Sequence, residues 1–313
     1  MQNYEIKNEQ IKRRFNQLKL TNPDQFAQRL NLSWSVWMFG IEKLEDTASR
    51  LAKNGIHYIE LKADQHTHGS GLKVAEVRKV LGDYDIKVSG ACGMFSEGND
   101  LSSTDVYSVQ HAVDYIKREV EFLAEVGGEY MIVVPTAVGR PEAADGAEFL
   151  RSVNALRSCG DFFAQHGIKA AIEPVRSAEV SLVHSVSDAK RYIGAIGHDA
   201  IGHINADTYH MLLEEAHIGE AILSAGDQLV NLHLADSNRD ALGSGMIDFD
   251  TVIRAAYLIG MNAKGRYVTP EPLGPFPVPY VLANGPCDVA VMDRLVSETA
   301  SYFNRREQEV LEL

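Results

Sequence analysis

KAAIEPV (169–175), IGHINADT (201–208), LVNLHLADS (229–237) and RYVTPEPL (266–273) are four short apolar runs in the second half of the chain. They are rich in Val and Ile and bounded by Gly or charged turns, as strands buried on both faces of a parallel sheet are. Each carries one side chain of metal-ligating type at or near its end: Glu173, Asp207, His233 and Glu271. Their separations are 34, 26 and 38 residues, each about one strand, one helix and two loops. If the runs are successive strands of a barrel, the four side chains converge on one point.

The same pattern extends upstream, through WSVWMF (34–39), HYIELKAD (57–64), IKVSGACG (86–93) and YMIVVPTA (130–137). Between the eight runs lie helical stretches such as LEDTASRLAKNG and VYSVQHAVDYIKREVEFLAEVGG. In the latter, Val109, Ala112, Val113, Ile116, Val120, Leu123 and Val126 recur at three- and four-residue steps and make one apolar face. Gly55, Gly127, Gly167 and Gly260 follow helical patterns, where a left-handed C-cap is expected. Eight βα units running in one direction predict an α/β fold, a single (β/α)8 TIM barrel. The competing doubly wound sheet usually carries a glycine-rich turn after its first strand, and FGIEKLED contains no GxGxxG.

The barrel domain is expected over 33–313. Residues 1–32 form an N-terminal helical extension, IKNEQIKRRFNQLKL and then TNPDQFAQRLNL, expected to cap the bottom of the barrel or to reach a neighbouring subunit. The Gly/Pro-rich stretch GPFPVPYVLANGPCD after Glu271 is expected as a loop over the mouth. VAVMDRLVSETASYFNRREQEVLEL closes the chain as a helix.

A formal net charge of −13 repels phosphate backbones and argues against nucleic-acid binding. Three cysteines, an odd number without CxxC spacing, fit a reducing cytosol rather than a disulfide framework. Cys92 in SGACGMF reads more simply as a small buried residue than as a nucleophile. No run of 18 apolar residues exists, so no membrane span is expected. The polar, acid-containing N-terminus reads as neither a signal nor a transit peptide, and a cytoplasmic location is expected.

In a TIM barrel the functional site lies at the C-terminal ends of the strands. Three carboxylates and one imidazole there, Glu173, Asp207, His233 and Glu271, suit a divalent cation, Mn²⁺ first, with Mg²⁺ or Co²⁺ as alternatives. Taken singly, Glu173 reads as a strand-end ion pair, Asp207 as a helix N-cap and His233 as a core imidazole. Together on strands five to eight they read as one site. His210, three residues after Asp207, and Arg239, six after His233, are placed to hold hydroxyl or carbonyl oxygens of a polyol. His66 and His68 in DQHTHGSG are a further candidate metal pair, with a surface loop as the simpler reading.

These motifs, taken in order, resemble the xylose-isomerase-like TIM barrels over roughly residues 33–305. The similarity is greatest to the ketose 3-epimerase branch, which includes tagatose and psicose 3-epimerases. The resemblance makes Glu173 the strand-five glutamate and Glu179, in EPVRSAE, the substrate-binding glutamate six residues on. DTYH (207–210) stands for the branch's Asp-x-x-His, and His233, Arg239 and the following GSG for its strand-seven motif. Glu271 stands for its final glutamate, and NDLSSTD (99–105) resembles one of its loops. There are departures. Asn231 stands where a second His is common, Leu242 where Pro is common, and Arg176-Ser177 where Asn-Arg is usual.

The resemblance implies proton abstraction beside a ketone of a carbohydrate substrate, through a metal-stabilised cis-enediolate. Glu173 and Glu271 would be the catalytic pair, and Glu179, His210 and Arg239 the polar substrate contacts. By position, Trp37 and Phe95 are expected to add an apolar wall for the substrate, with core packing as the simpler reading. It also implies an alternative, a lyase acting on 3-oxo-sugars. Inosose-type dehydratases work this way, as does the catalytic subunit of C-glycoside deglycosidases, which is similar as well. A homo-oligomer is expected, with a small second subunit if the deglycosidase reading holds.

Overall fold

The structure is a computed structural model that describes residues 2–63, 71–274 and 283–312. His66, His68 and most of the Gly/Pro-rich stretch after Glu271 lie outside the described residues.

Seven parallel strands pair strictly in chain order: β1 (Tyr58–Ala63), β2 (Lys87–Gly93), β3 (Tyr130–Val133), β4 (Lys169–Ile172), β5 (His203–Asp207), β6 (Leu229–Leu234) and β7 (Tyr267–Pro270). The eighth position is filled by an irregular segment. Ser33 N donates to Val268 O (2.9 Å) and Ser35 N to Pro270 O (3.2 Å) on the β7 side. On the β1 side Glu60 N donates to Trp34 O (2.8 Å) and Val36 N to Glu60 O (3.1 Å). The strand expected at 34–39 is therefore displaced toward the N-terminus, and Trp37–Gly40 already turn away, with Gly40 left-handed (φ 75°). The boundary expected between 32 and 33 falls inside this closing segment.

Helices alternate with the strands and cover the outside: α2 (Leu44–Lys53), α3 (Val74–Asp83), α4 (Val106–Val126), α5 (Glu148–Arg157), α6 (Gly160–His166), α7 (Val186–Ile196), α8 (Thr208–Glu214), α9 (Ile218–Ala225), α10 (Phe249–Leu258) and α11 (Val289–Glu312). On α4 the buried positions Ala112, Val113, Ile116, Val120 and Leu123 are the stripe expected from the three- and four-residue spacing. Gly55, Gly127, Gly167 and Gly260 all take positive φ at the helix ends, as their positions predict.

α1 (Asn3–Thr21) lies along the outer faces of α9 and α10. It buries Ile11 and Phe15, the latter edge-on to Phe26 and Tyr257. Lys7 Nζ lies 2.6 Å from Glu220 and Asn8 Nδ2 donates to Asp248 (2.9 Å). Buried Glu307 of α11 accepts from Leu30 N (2.8 Å), Tyr257 Oη (2.7 Å) and Arg29 Nε (2.5 Å), tying the closing segment to the wall behind it.

Candidate active site

The four candidate ligands converge. Glu173 directly follows β4, its N–H still bonded to Val133 O (3.1 Å). Asp207 ends β5 and is in register with His233 of β6. Glu271 follows β7 with its N–H on Leu234 O (2.9 Å). All four are buried. His233 Nδ1 lies 3.5 Å from Oε1 of both Glu173 and Glu271. One ligand atom each from Asp207, His233 and Glu271 lies within 4.8 Å of the others, and so does a second set, Glu173, Asp207 and His210.

Asp207 does two jobs. Its Oδ1 caps α8 by accepting from Tyr209 N (2.8 Å), and its Oδ2 has no hydrogen-bond partner among the described residues. A buried carboxylate oxygen left in that state is costly unless something binds it. Glu60, Glu173, Asp207 and Glu271 bring four buried carboxylates together, against His233 and Arg239 as the cationic groups beside them. Oxygen donors plus one imidazole around an excess of buried negative charge fit a divalent cation. Burial pushes the Asp207 carboxyl up to about 6 and the Glu271 carboxyl up to about 7, against the opposing pull of His233 and Arg239. Burial works to lower the His233 imidazolium, but Glu60, Glu271 and Glu173 outweigh it and hold the group well above its ordinary range. Burial, then Arg239, drives His210 well below its ordinary range, so it is neutral at pH 7.

Arg239 Nη2 stands 3.6 Å from both Asp207 Oδ2 and Glu271 Oε2. It is a left-handed non-glycine residue (φ 55°), a conformation with a steric cost that surrounding structure must hold. Its carbonyl accepts from Leu273 N (2.8 Å) and Gly274 N (3.0 Å), coupling the loop after β6 to the chain after Glu271. Asp236 anchors the same loop by accepting from four backbone N–H groups, those of Ser237, Gly243, Gly245 and Ile247. This explains GSG. Gly243 needs φ 87°, and a Cβ on Gly245 would sit 2.2 Å from Asp236 Oδ1.

The remaining expected contacts divide. Trp37 Nε1 donates to Glu271 Oε1 (2.6 Å), so this buried indole holds the carboxylate directly. Glu179 is engaged by Arg176 Nε at 2.5 Å, and Arg176 Nη1 also donates to Tyr209 Oη (2.7 Å). The Tyr209 ring carries both guanidiniums, Arg239 at 4.2 Å and Arg176 at 5.0 Å from its centroid. Phe95 is buried edge-on against Tyr115. Cys92 is buried and burial raises its thiol well above the ordinary range, in keeping with a packing role.

Sequence reasoning missed Glu60, Asp236, Asn205 and Tyr209. Glu60 left a signal, a lone acid inside the apolar run HYIELKAD. Asp236 left none distinguishable from ordinary loop polarity.

Residues 48–271 match the family model described as xylose isomerase-like TIM barrel. The chain is 30% identical to a ketose 3-epimerase of Arthrobacter globiformis over 60% of this chain, a match spanning 65% of that relative's length. It is also 30% identical to the 3-dehydro-D-guloside 4-epimerase of Escherichia coli, over 56% of this chain and 69% of that protein. A crystal structure of D-allulose 3-epimerase from Methylomonas sp., in complex with D-allulose, superposes with a TM-score of 0.76. That likeness covers 89% of this chain and 98% of the other at 23% identity, and carries the fold alone.

Proposed function

Because the chain belongs to the xylose isomerase-like TIM-barrel family, we propose that it is a sugar epimerase or isomerase of the ketose 3-epimerase kind. It would act on the carbon beside a ketone. The observation that carries this reading is the pair of buried carboxylates, Glu173 and Glu271, flanking His233 Nδ1 at 3.5 Å each. They come from β4 and β7 with two strands between them, so they approach a substrate from different sides of the rim. One takes the proton from carbon and the other returns a proton to the opposite face.

Glu173, Asp207, His233 and Glu271 would hold the divalent cation, for which we favour Mn²⁺ over Mg²⁺ or Co²⁺. Bound there, such an ion supplies Lewis-acid polarisation of the substrate carbonyl. With no cation bound, burial pushes the Glu271 carboxyl up to about 7; ligation would favour the carboxylate form that can accept a proton. Trp37 fixes which way that carboxylate faces. Neutral His210 and the Arg239 guanidinium are the donors for hydroxyl and carbonyl oxygens. Three free thiols suit the reducing cytoplasm in which we place the enzyme, and among the described residues no helix is long and apolar enough to cross a membrane.

A second reading is favoured by one departure. Glu179, the carboxylate that the resemblance assigns to a substrate hydroxyl, is already held by Arg176 at 2.5 Å. A 3-oxo-glycoside in place of a free ketose would meet that altered mouth, and the same proton abstraction would then expel a substituent, making the protein a lyase.

The deciding experiment incubates Mn²⁺-loaded protein in D₂O with free ketoses and, separately, with a 3-oxo-C-glycoside. Deuterium appearing at C3 of an inverted ketose supports epimerisation, and release of free aglycone supports the lyase. Absence of both, with the cation bound, would end the proton-abstraction reading.

A further inference from the structure

Beneath the acid-bearing rim lies a connected polar layer whose hub is a residue the proposed chemistry does not use. Glu60, in the middle of β1, is fully buried. Its Oε1 lies 2.9 Å and its Oε2 3.1 Å from His233 Nε2. Oε2 also accepts from the Tyr130 hydroxyl (2.6 Å) and from Asn231 Nδ2 (3.1 Å). Asn231 in turn donates to Asn205 Oδ1 (2.9 Å) and accepts from Thr269 Oγ1 (2.7 Å). Asn205 Nδ2 donates to Glu173 Oε1 at 2.9 Å and faces His233 Nδ1 at 3.3 Å.

The two ring nitrogens of His233 therefore have separate assignments. Nε2 points down into the barrel at a carboxylate. Nδ1 points up between Glu173 and Glu271, with Asn205 Nδ2 3.3 Å away. An imidazole that ligates through one nitrogen characteristically donates its other N–H to a carboxylate, which fixes the ring and raises its basicity as a ligand. Burying a charged carboxylate in a barrel core is expensive unless several donors meet it, and here three side chains do. Packing alone would have been served by an apolar residue at this position, as at Ile59 and Leu61 beside it.

We propose that Glu60 is the positioning residue that aims His233 Nδ1 at the cation and, through Asn231 and Asn205, steadies Glu173. This rests on the cation site proposed above. Glu60 is separated from the rim by His233 and touches no reacting group, so it acts through its neighbours. Asn231, standing where relatives of the branch commonly have a second histidine, becomes intelligible as the amide that joins Glu60 to Asn205.

The test is titration calorimetry of wild type, Glu60→Gln and Glu60→Leu with Mn²⁺. It is paired with long-range ¹H–¹⁵N spectra of the histidines in the Mg²⁺-loaded proteins. Wild type is expected to show His233 protonated on Nε2 alone. Gln retains an oxygen acceptor without the charge and is expected to lose about tenfold in Mn²⁺ affinity, and Leu about 100-fold, the range typical for groups that orient metal ligands. Should Leu fail to fold, Gln decides, with its circular dichroism matching wild type. Mn²⁺ affinity in Glu60→Gln within twofold of wild type, or a wild-type His233 protonated on Nδ1, overturns the assignment while leaving the cation site standing. Wild type that binds no Mn²⁺ overturns the cation site itself, and Glu60's role with it.

Discussion

Strands β4–β7 and strands β1–β3 face the same barrel axis and serve it differently. The first group ends in Glu173, Asp207, His233 and Glu271, whose charge is turned toward the open end, with Asp207 Oδ2 left without a hydrogen bond among the described residues. The second group contributes Glu60, Ser89 and Tyr130, whose polar atoms are satisfied inside the protein. Ser89 Oγ meets Ser33 Oγ at 2.8 Å and Ile59 O at 3.1 Å, and Tyr130 Oη meets Glu60 at 2.6 Å. Strands β4–β7 present polar groups to a ligand at their ends and add Asn205, Asn231 and Thr269 to the layer beneath, whereas the polar groups named on β1–β3 serve as support.

The largest expected effects lie in the presenting half. Glu173→Gln and Glu271→Gln should each lower kcat by about 10²–10⁴-fold, the usual weight of a general acid or base, with unchanged circular dichroism. Ser89→Ala, in the supporting half, should cost about 1–3 kcal/mol of stability by leaving buried partners unmatched, with kcat close to wild type. Steady-state kinetics and denaturant melts on the three variants check this. A Ser89→Ala enzyme as inactive as Glu271→Gln would erase the distinction between the halves.

Next in size is Asp236→Ala. Four backbone N–H groups lose their acceptor, and Arg239 loses the loop that holds it at φ 55°. Displacement of a positioning group by about 1 Å can cost about 10²-fold, and a loss of that order in kcat/KM is expected. The same variant should bind Mn²⁺ normally, since Asp236 touches none of the four ligands in the contacts described. Weakened Mn²⁺ binding measured by calorimetry would show that the loop supports the cation site as well.

The contrast between the halves also marks what the sequence could tell. The presenting half is legible because ligand-type residues recur at the ends of apolar runs, and barrel geometry turns one such residue per strand end into convergence. Asp207 shows that a bland reading and a functional one need not compete, since one oxygen caps α8 while the other faces the site. The supporting half was less legible. Glu60 pairs with His233 across 173 residues of chain, and no local periodicity encodes such a contact. The first barrel position was misplaced for a related reason. WSVWMF has the composition of a strand, but the backbone pairing that closes the barrel is made by residues 31–36, and the tertiary partners β7 and β1 decide it. Trp37, expected as an apolar wall, is fixed instead by a polar contact of its ring N–H with Glu271.

A smaller effect should come from Arg176, which stands at the mouth and belongs to neither half. Its ion pair with Glu179 is partly solvent-screened, and such pairs are worth at most about 1 kcal/mol. Arg176→Ala removes one ion-pair partner that competes with a substrate hydroxyl for the Glu179 carboxylate, so KM for a free ketose should fall by at most about fivefold, the equivalent of that energy, with kcat little changed. A rise in KM would instead place the Arg176 guanidinium itself on the substrate.

The smallest expected effect is a pH dependence of the cation-free protein, and it bears on the presenting half alone. Glu271 rises from 4.5 to about 7 and Asp207 from 3.8 to about 6, in both cases chiefly by burial. Between those limits the unfolded chain has released protons that the folded protein keeps, so stability falls as pH rises. His233, held well above 6.5 against its burial by Glu60, Glu271 and Glu173, has the same sign, contributing fully below 6.5 and losing that contribution as pH climbs through its folded value. Burial lowers His203 to about 4 and also depresses His210 and His217. These three have the opposite sign, but only below 6.5, where the unfolded imidazoles take up protons that the folded ones refuse. The clean window therefore opens near neutrality. In a chelator, Tm should fall by about 2–4 °C between about pH 6.5 and 8.5, and Mn²⁺ should raise Tm more at the alkaline end, because its ligands must be deprotonated to bind. His233→Gln should flatten the slope measured in chelator. A Tm that rises across the window, or a Mn²⁺ increment larger at pH 6.5 than at 8.5, would mean that the buried acids are already neutralised by protein groups and that the presenting half is not built around a cation.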